Sequence, residues 1–413
     1  MNLHGKTLLV LTGCNASADI IDYARAQGVY TIATDYHKAS SVKDTAHVRY
    51  DVSTTDIGAV EHIARSHNVD GITTGTSESS MYTILQLSKR LGLPFYATTQ
   101  QLEILNDKQK FKELMLAHGV PVTTGYSDLS SVELPVVVKP VDSSGSKGIS
   151  VARTNDELVL AIEHALKYSR SKKYVVEKYI QNACEVFVNY TMVDGVISLT
   201  CAFDNTNKVR HNNSISGLGV FRMFPSRYMA DYVNMVHDNM VSALRSIGVR
   251  NGVISIQSFY DGKSFMVYEA GYRLGGTQSY IFTKEVNGIS HMEMMVNYSL
   301  TGRMAESADI LLRDEPCFCR PCCQYNIPLR PGVISSMGGI AEIREFDGVL
   351  NVTQVRQEGD LVHQDGTTSQ LGVRIHIVGR TTTDLGDIID QINKTLSIKD
   401  QDGADMIYGR YRL

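Results

Sequence analysis

The 413-residue sequence lacks most of the features that would assign it to a class at once. No apolar run approaches the roughly 20 residues a membrane span needs, so no membrane partner is expected. Neither sign of charge dominates: a formal net charge of −4 gives no electrostatic case for nucleic acid or an anionic surface. The opening residues, Met1 to Val10, lack the charge–apolar–small order of a signal peptide and read as a first strand. With only seven cysteines, the expected setting is the reducing cytoplasm. Two nucleotide-binding signatures are missing as well. The turn Thr12-Gly-Cys-Asn-Ala-Ser17 is not Gly-x-Gly-x-x-Gly, so NAD binding is not supported and Asp35 reads as a polar strand end. The Walker pattern Gly-x-x-x-x-Gly-Lys-Ser/Thr is also absent.

What is present is an ordinary globular composition, 43% hydrophobic and 20% charged, in a chain long enough for two or more domains. Residues 6–12 form a near-continuous apolar run, as in a buried parallel strand. A helix from Ser17 to about Gln27 and a strand at 29–34 complete a βαβ opening. Residues 69–74 and 93–96 read as further strands around a helix at 79–91, and the first domain ends near residue 100.

A helix capped by Asn106 or Asp107 follows, with Lys108 in its first turn. The helix dipole disfavours a cation there, so the lysine makes sense beside an anion. The strand at 134–139 ends in Lys139, and a Ser/Gly loop follows: Ser143, Ser144, Gly145, Ser146 and Gly148. Its glycines allow backbone N–H groups to turn toward phosphate oxygens, and its serines add donors. Beyond lie a strand from Ile149, an amphipathic helix at 155–169, and a strand at 173–180 containing Glu177, Lys178, Tyr179 and Ile180. Glu185 follows on residues 184–192, whose alternation indicates a half-exposed strand.

The centre of the chain is Asn251 to Gly276. Two strands flank an Asp261-Gly262 hairpin turn. The period of two puts Glu269, Gly271 and Arg273 on one side, and Gln257 sits on the partner strand. Gln257 and Glu269 make an oxygen-rich patch suited to Mg²⁺, with Arg273 nearby to meet an anion. Gly275 and Gly276 allow close backbone approach to a substrate. The polar segment 203–213, with His211 and then Arg222, either lines a substrate pocket or is a solvated loop. Cys317 to Cys323 places four thiols in seven residues, but an extended chain points Cys322 and Cys323 apart, which favours incidental thiols over zinc. Residues 338–396 read as a small α+β tail with nothing catalytic in it.

Taken in order, Asn-Asp-Lys108, Lys139-Pro with its Ser/Gly loop, Glu177-x-x-Ile180, Glu185, Gln257 and Glu269-x-Gly-x-Arg273 resemble the ATP-grasp family of carboxylate–amine (or thiol) ligases. The resemblance covers the whole chain, and its C-terminal part is similar to that of L-amino acid ligases. It implies an α/β and α+β architecture: an N-terminal Rossmann-like (pre-ATP-grasp) domain at 1–100, an ATP-grasp domain at 101–325 and a C-terminal α+β domain at 326–413. The lid subdomain would span about 120–180. By resemblance, Lys108 and Lys139 hold the ATP phosphates under the 143–148 loop, and residues 177–180 meet adenine through backbone groups. Glu185 holds the ribose, Gln257 and Glu269 bind Mg²⁺ (or Mn²⁺), and Arg273 stabilises the acyl-phosphate and the tetrahedral species. The implied partners are a small-molecule carboxylate and an amine, in a homodimer. Two positions depart from the family pattern: Gly271 stands where asparagine is usual, and Asn182-Ala183 where a glycine is expected. Gln257 also resembles carbamoyl-phosphate synthetases. Carbamoyl-phosphate-type chemistry, or an ATP-binding module without turnover, are therefore the alternatives.

Overall fold

The computed structural model describes residues 1–13, 16–37, 41–141, 148–169, 171–181, 183–209, 218–364 and 368–413. Ser143, Ser144, Gly145, Ser146, Asn182 and His211 lie outside the described residues.

The chain begins with β1 (Thr7–Leu11), α1 (Ala16–Ala26), β2 (Tyr30–Thr34), β3 (Val48–Tyr50), α2 (Ile57–Ser66), β4 (Gly71–Thr74) and α3 (Glu78–Leu91). The strands form a parallel sheet in the order β3-β2-β1-β4. Leu8 to Leu11 are completely buried, as an uninterrupted apolar run covered on both faces should be. Residues 93–96 are not a strand. They cross to the next region with Phe95 and Tyr96 packed against the central core, and the Tyr96 hydroxyl donates to the Tyr272 carbonyl at 2.9 Å. Two helices follow, α4 (Thr99–Asn106) and α5 (Lys108–Ala117), and Asp107 caps the second through the Gln109 and Lys110 amides.

A small antiparallel sheet comes next: β5 (Gly125–Tyr126), β6 (Val136–Pro140), β7 (Ser150–Ala152) and, after α6 (Asn155–Tyr168), β8 (Tyr174–Lys178). Its order is β5-β8-β6-β7, and α6 buries Leu158, Ala161 and Ala165 against it.

The remaining elements are β9 (Cys184–Val193), β10 (Val196–Val209), β11 (Leu218–Phe224), α7 (Met229–Tyr232), α8 (Asp238–Ser246), β12 (Gly252–Tyr260), β13 (Phe265–Gly271), α9 (Tyr280–Asn287) and α10 (His291–Thr301). After them come β14 (Cys322–Pro328), β15 (Gly332–Gly338), α11 (Ile340–Arg344), β16 (Val349–Gln354), β17 (Leu361–Val362), β18 (Leu371–Val378), α12 (Thr382–Thr395) and β19 (Ser397–Asp400). Eight of these strands form one antiparallel sheet, β13-β12-β9-β10-β11-β14-β18-β16. The other three, β17-β15-β19, form a separate small sheet.

Three expectations change here. First, β9 is a central strand, buried from Val188 onward, because β12 and β10 flank it and helices cover both faces. Its alternation reflects two differently lined faces rather than solvent on one. Second, residues 203–209 are the second half of β10, not a loop, and they pair with β9 and β11. Third, the tail is not apart from the central sheet. β14, β18 and β16 extend the central sheet, and a boundary near residue 325 falls inside β14.

Candidate active site

Gln257 and Glu269 are direct cross-strand partners in the β12–β13 ladder. The register then slips, so that Ser258 pairs with Val267 and Tyr268 is the extra residue of a bulge. The bulge aims Tyr268 at its neighbours: its hydroxyl donates to Gln257 Oε1 at 3.1 Å, and Lys139 Nζ lies 5.3 Å from its ring centroid. Lys108, at the start of α5, brings its ammonium to 3.9 Å from Glu269 Oε1. Arg273 folds back over Gly271. Its NH2 bonds Glu78 Oε1 of α3 at 2.9 Å and its NH1 bonds the Leu274 carbonyl at 3.1 Å. Its Nε is buried with no hydrogen-bond partner among the described residues.

Glu177 does not face outward from its strand. Its carboxylate is buried between Lys112 and Lys139, 2.7 Å from each ammonium, and also accepts from Thr123 Oγ1 at 3.1 Å. Burial alone would push its pKa up, but the charges of Lys139 and Lys112 outweigh burial and hold it down at about 2. At Lys112 the balance goes the other way, and burial lowers the ammonium's pKa despite Glu177. The carboxylate is thus held ionised between the two lysines. Along the same segment, the Lys178 and Tyr179 amides already donate to the Thr124 and Pro135 carbonyls. The side chain of Lys178 is exposed. Gly148 takes a left-handed φ of +78°, and a Cβ there would stand 2.7 Å from Pro140 and Tyr168.

A polar row crosses the sheet on the face that carries Gln257. Glu185 (β9), Asn205 (β10), Arg222 (β11), Gln324 (β14) and His376 (β18) are successive ladder partners. Asn205 Nδ2 donates to Glu185 at 2.8 Å, Arg222 NH1 to Gln324 Oε1 at 2.8 Å, and Gln324 Nε2 lies 3.0 Å from His376 Nε2. The C-terminal strands also grip the loop that follows Arg273. Gln324 Nε2 donates to the Thr277 carbonyl at 2.6 Å, and His376 Nε2 meets the same carbonyl at 3.0 Å. Arg374 NH1 donates to the Gly276 carbonyl at 3.0 Å and to Gln278 Oε1 at 3.1 Å. Gly275 and Gly276 are thus part of a pinned loop. The sequence reading missed Gln324, Arg374 and His376, because only the sheet order brings them to this face. The alternation of polar with apolar residues in 322–326 and 373–377 was the available signal.

Residues 107–305 match the family described as "Carbamoyl-phosphate synthase L chain, ATP binding domain". The carbamoyl phosphate synthase large chain of Methanosarcina mazei is 21% identical over 321 residues, which is 73% of this chain and 28% of that protein. The L-amino acid ligase of Bacillus licheniformis superposes with a TM-score of 0.78 at 18% identity, covering 96% of this chain and 99% of that one. The biotin carboxylase domain of the Hydrogenobacter thermophilus 2-oxoglutarate carboxylase, solved with MgADP, ADP and bicarbonate, gives a TM-score of 0.77 at 16% identity over 95% of this chain and 90% of that one. The chain has the ATP-grasp fold, and residues 107–305 are the part that matches the ATP-binding domain model. It spans 28% of the length of the curated synthase it matches.

The residues of this ATP-grasp site fit a magnesium nucleotide. Gln257 and Glu269 offer hard oxygen donors side by side, too few to cage an ion alone but suited to one shared with phosphates. No group of three or more His, Cys, Asp or Glu gathers around a metal among the described residues. The Lys108 ammonium supplies positive charge beside Glu269, and the Arg273 guanidinium lies over Gly271, two residues further along β13. The described cysteines belong to no group that could hold a metal. Cys322 and Cys323 are buried in different core clusters on opposite faces of β14, while Cys317 and Cys319 are exposed. No helix of the described residues is long and apolar enough to cross a membrane.

Proposed function

We propose that this ATP-grasp chain is an ATP-dependent ligase that activates a carboxylate, that of an amino acid, as an acyl-phosphate and joins it to an amine. The observation that carries the reading is the convergence of Gln257, Glu269, Lys108 and Arg273 at one end of the central sheet, linked to Lys139 through the Tyr268 bulge. A carboxylate is a poor electrophile at neutral pH. Transfer of the γ-phosphoryl group forms a carboxylate O–P bond and breaks the bond to ADP. Attack by the amine then forms the C–N bond, breaks the C–O bond to phosphate and releases a proton. Negative charge accumulates over several oxygens, so catalysis rests on positioning and charge neutralisation.

In this assignment Lys139 and Lys108 hold phosphate oxygens, and Glu177 fixes the position of Lys139. Glu185 holds the ribose, and backbone groups within the 177–180 segment meet the base. Gln257 and Glu269 hold Mg²⁺, which supplies Lewis acidity toward the transferring phosphoryl group. Arg273, fixed by Glu78, would stabilise the acyl-phosphate and the oxyanion formed at the attacked carbon. Carbamoyl-phosphate-type chemistry is the second reading, favoured by an amide, Gln257, in the metal pair. Nucleotide binding without turnover is the third, motivated by Gly271.

The test is phosphate release from Mg-ATP against pooled amino acids and amines, with mass spectrometry of the products. A condensed product that needs one carboxylate and one amine supports the ligase. Carbamoyl phosphate as product favours the second reading, and nucleotide binding with no phosphate release from any pool favours the third.

A further inference from the structure

A side-chain amide can serve a hard cation through only one of its two ends. The oxygen is a donor to the ion, whereas the NH₂ group repels it. The two ends exchange places by a half-turn about the last torsion of glutamine, whose preference is broad and roughly two-fold. A carboxylate faces no such choice, because both its ends are oxygens. Gln257 therefore needs something to hold its amide one way round.

The β12–β13 hairpin supplies a group for this. In a regular ladder the neighbour of Glu269 would point to the opposite face of the sheet, away from Gln257. The bulge breaks that alternation at Tyr268 and brings its hydroxyl to 3.1 Å from Gln257 Oε1. Among the described residues this is the one hydrogen bond of the Gln257 side chain. The phenol ring is itself held in place. It stacks on Phe259 with centroids 4.7 Å apart and an interplanar angle of 25°, and the Lys139 ammonium lies 5.3 Å from its centroid. Burial, followed by the charges of Glu185, Glu269 and Glu177, holds the phenol pKa well above its ordinary value, so the hydroxyl keeps the proton it donates. A carbonyl oxygen has two lone pairs, so Oε1 can accept from Tyr268 and still serve a metal.

We propose that Tyr268 is a positioning residue for the metal ion: its hydroxyl fixes the Gln257 amide with the oxygen toward the ion that Gln257 and Glu269 share. An amide can then stand where a carboxylate would need no such help. This rests on the assignment of Gln257 and Glu269 to Mg²⁺ above and deepens it.

The test is calorimetric titration of ADP into the full chain, in EDTA and at stepped magnesium concentrations, with a melting curve for each protein. The unmodified chain should bind ADP more tightly as magnesium rises. Tyr268→Phe keeps the ring, its stack on Phe259 and its contact with Lys139, and removes only the hydroxyl. Its half-effect magnesium concentration should rise by roughly 10- to 100-fold, the usual cost of losing the partner that orients a metal ligand, while ADP affinity in EDTA stays the same. In a Gln257→Glu background the same change should cost only a few-fold, because a carboxylate needs no orienting. An equal cost in both backgrounds, or weaker ADP binding in EDTA, would reveal a merely structural role and overturn the proposal. An unchanged magnesium dependence in Tyr268→Phe would overturn it too, as would a stronger one, since the hydroxyl would then have held the amide the wrong way round. Those results leave the metal pair standing. ADP binding that ignores magnesium in the unmodified chain would instead sink the metal assignment, and this inference with it.

Discussion

The guanidinium of Arg273 occupies the room that Gly271 leaves: a Cβ on Gly271 would stand 3.5 Å from Arg273 Cζ and 3.6 Å from NH1. These are ordinary contact distances, so a methyl group fits, but anything longer must enter the volume of the guanidinium. The family's usual asparagine and this placement of Arg273 exclude one another. Gly271→Ala is therefore expected to keep turnover within a few-fold. Gly271→Asn should not restore a missing metal ligand. It should displace Arg273 and lower kcat, at an overpacking cost of ~1–3 kcal/mol. Steady-state kinetics with a magnesium titration checks this. An asparagine variant with tighter magnesium binding and higher kcat would contradict it.

Two buried groups set the acid limit of stability, in different windows. His376 is fully buried, and burial, with Arg374 and Arg222 adding to it, lowers its pKa from 6.5 to about 3. The unfolded chain takes up that proton first, so stability falls as pH drops from 6.5 toward 3. Glu177 is held at about 2 against an unfolded 4.5, so its contribution is complete above 4.5 and is lost between 4.5 and 2. Urea unfolding from pH 7 to pH 2 should show both limbs. His376→Asn should flatten the upper one. Glu177→Gln should flatten the lower one and cost ~3–5 kcal/mol at neutral pH, because Lys112 and Lys139 then face each other without an anion. Parallel profiles for all three proteins would refute the assignment.

Much of this site was legible because local chemistry carried it. The Asp261-Gly262 turn fixed the β12–β13 hairpin, and the period of two then placed Glu269 near Gln257. Asp107 announced the helix on which Lys108 sits. What was not legible depends on long-range pairing. Glu177 looks like a surface residue in sequence, and only the approach of Lys112 and Lys139 makes it a buried counter-ion. The stretch at 203–209 reads as a loop because it is polar, and the β9 and β11 partners that make it a strand are not marked by any local rule. Gln324, Arg374 and His376 lie in a segment that reads as a separate tail, and no local rule says that β14 and β18 join β11.

Glu269 is the one carboxylate in the proposed metal pair, and it pairs with Lys108 at 3.9 Å. Glu269→Ala is expected to abolish magnesium-dependent turnover while the protein stays folded, because the ion would keep only an amide ligand from the chain. Its side chain is partly exposed and pairs only loosely, so the stability change should stay within about 1 kcal/mol. Phosphate release against magnesium concentration, with a melting curve beside it, decides the matter. A variant with an unchanged magnesium profile would remove Glu269 from the site.

The loop after Arg273 is held from both ends of the chain. Asp19 of α1 accepts from Gln278 Nε2 at 2.8 Å and from the Tyr280 hydroxyl at 2.5 Å, while Gln278 Oε1 accepts from Arg374. Gln278 is thus a bridge between the first helix and the last strands, at a positive φ of 52° that its two partners help to hold. Asp19 touches none of the proposed reacting groups. Burial raises its pKa, only partly offset by those two donors, so its carboxylate is retained at an energetic cost. The expectation is that Asp19→Ala frees the loop and lets Arg273 drift. A displacement near 1 Å is worth about 10²-fold in rate, so kcat should fall by up to that amount with KM for ATP unchanged. Asp19→Asn, which can still accept from one donor, should recover part of the loss. Single-turnover phosphate release separates this from a purely structural role. A variant that loses stability but keeps the unmodified single-turnover rate would show that Asp19 only holds the domains together and does not position Arg273.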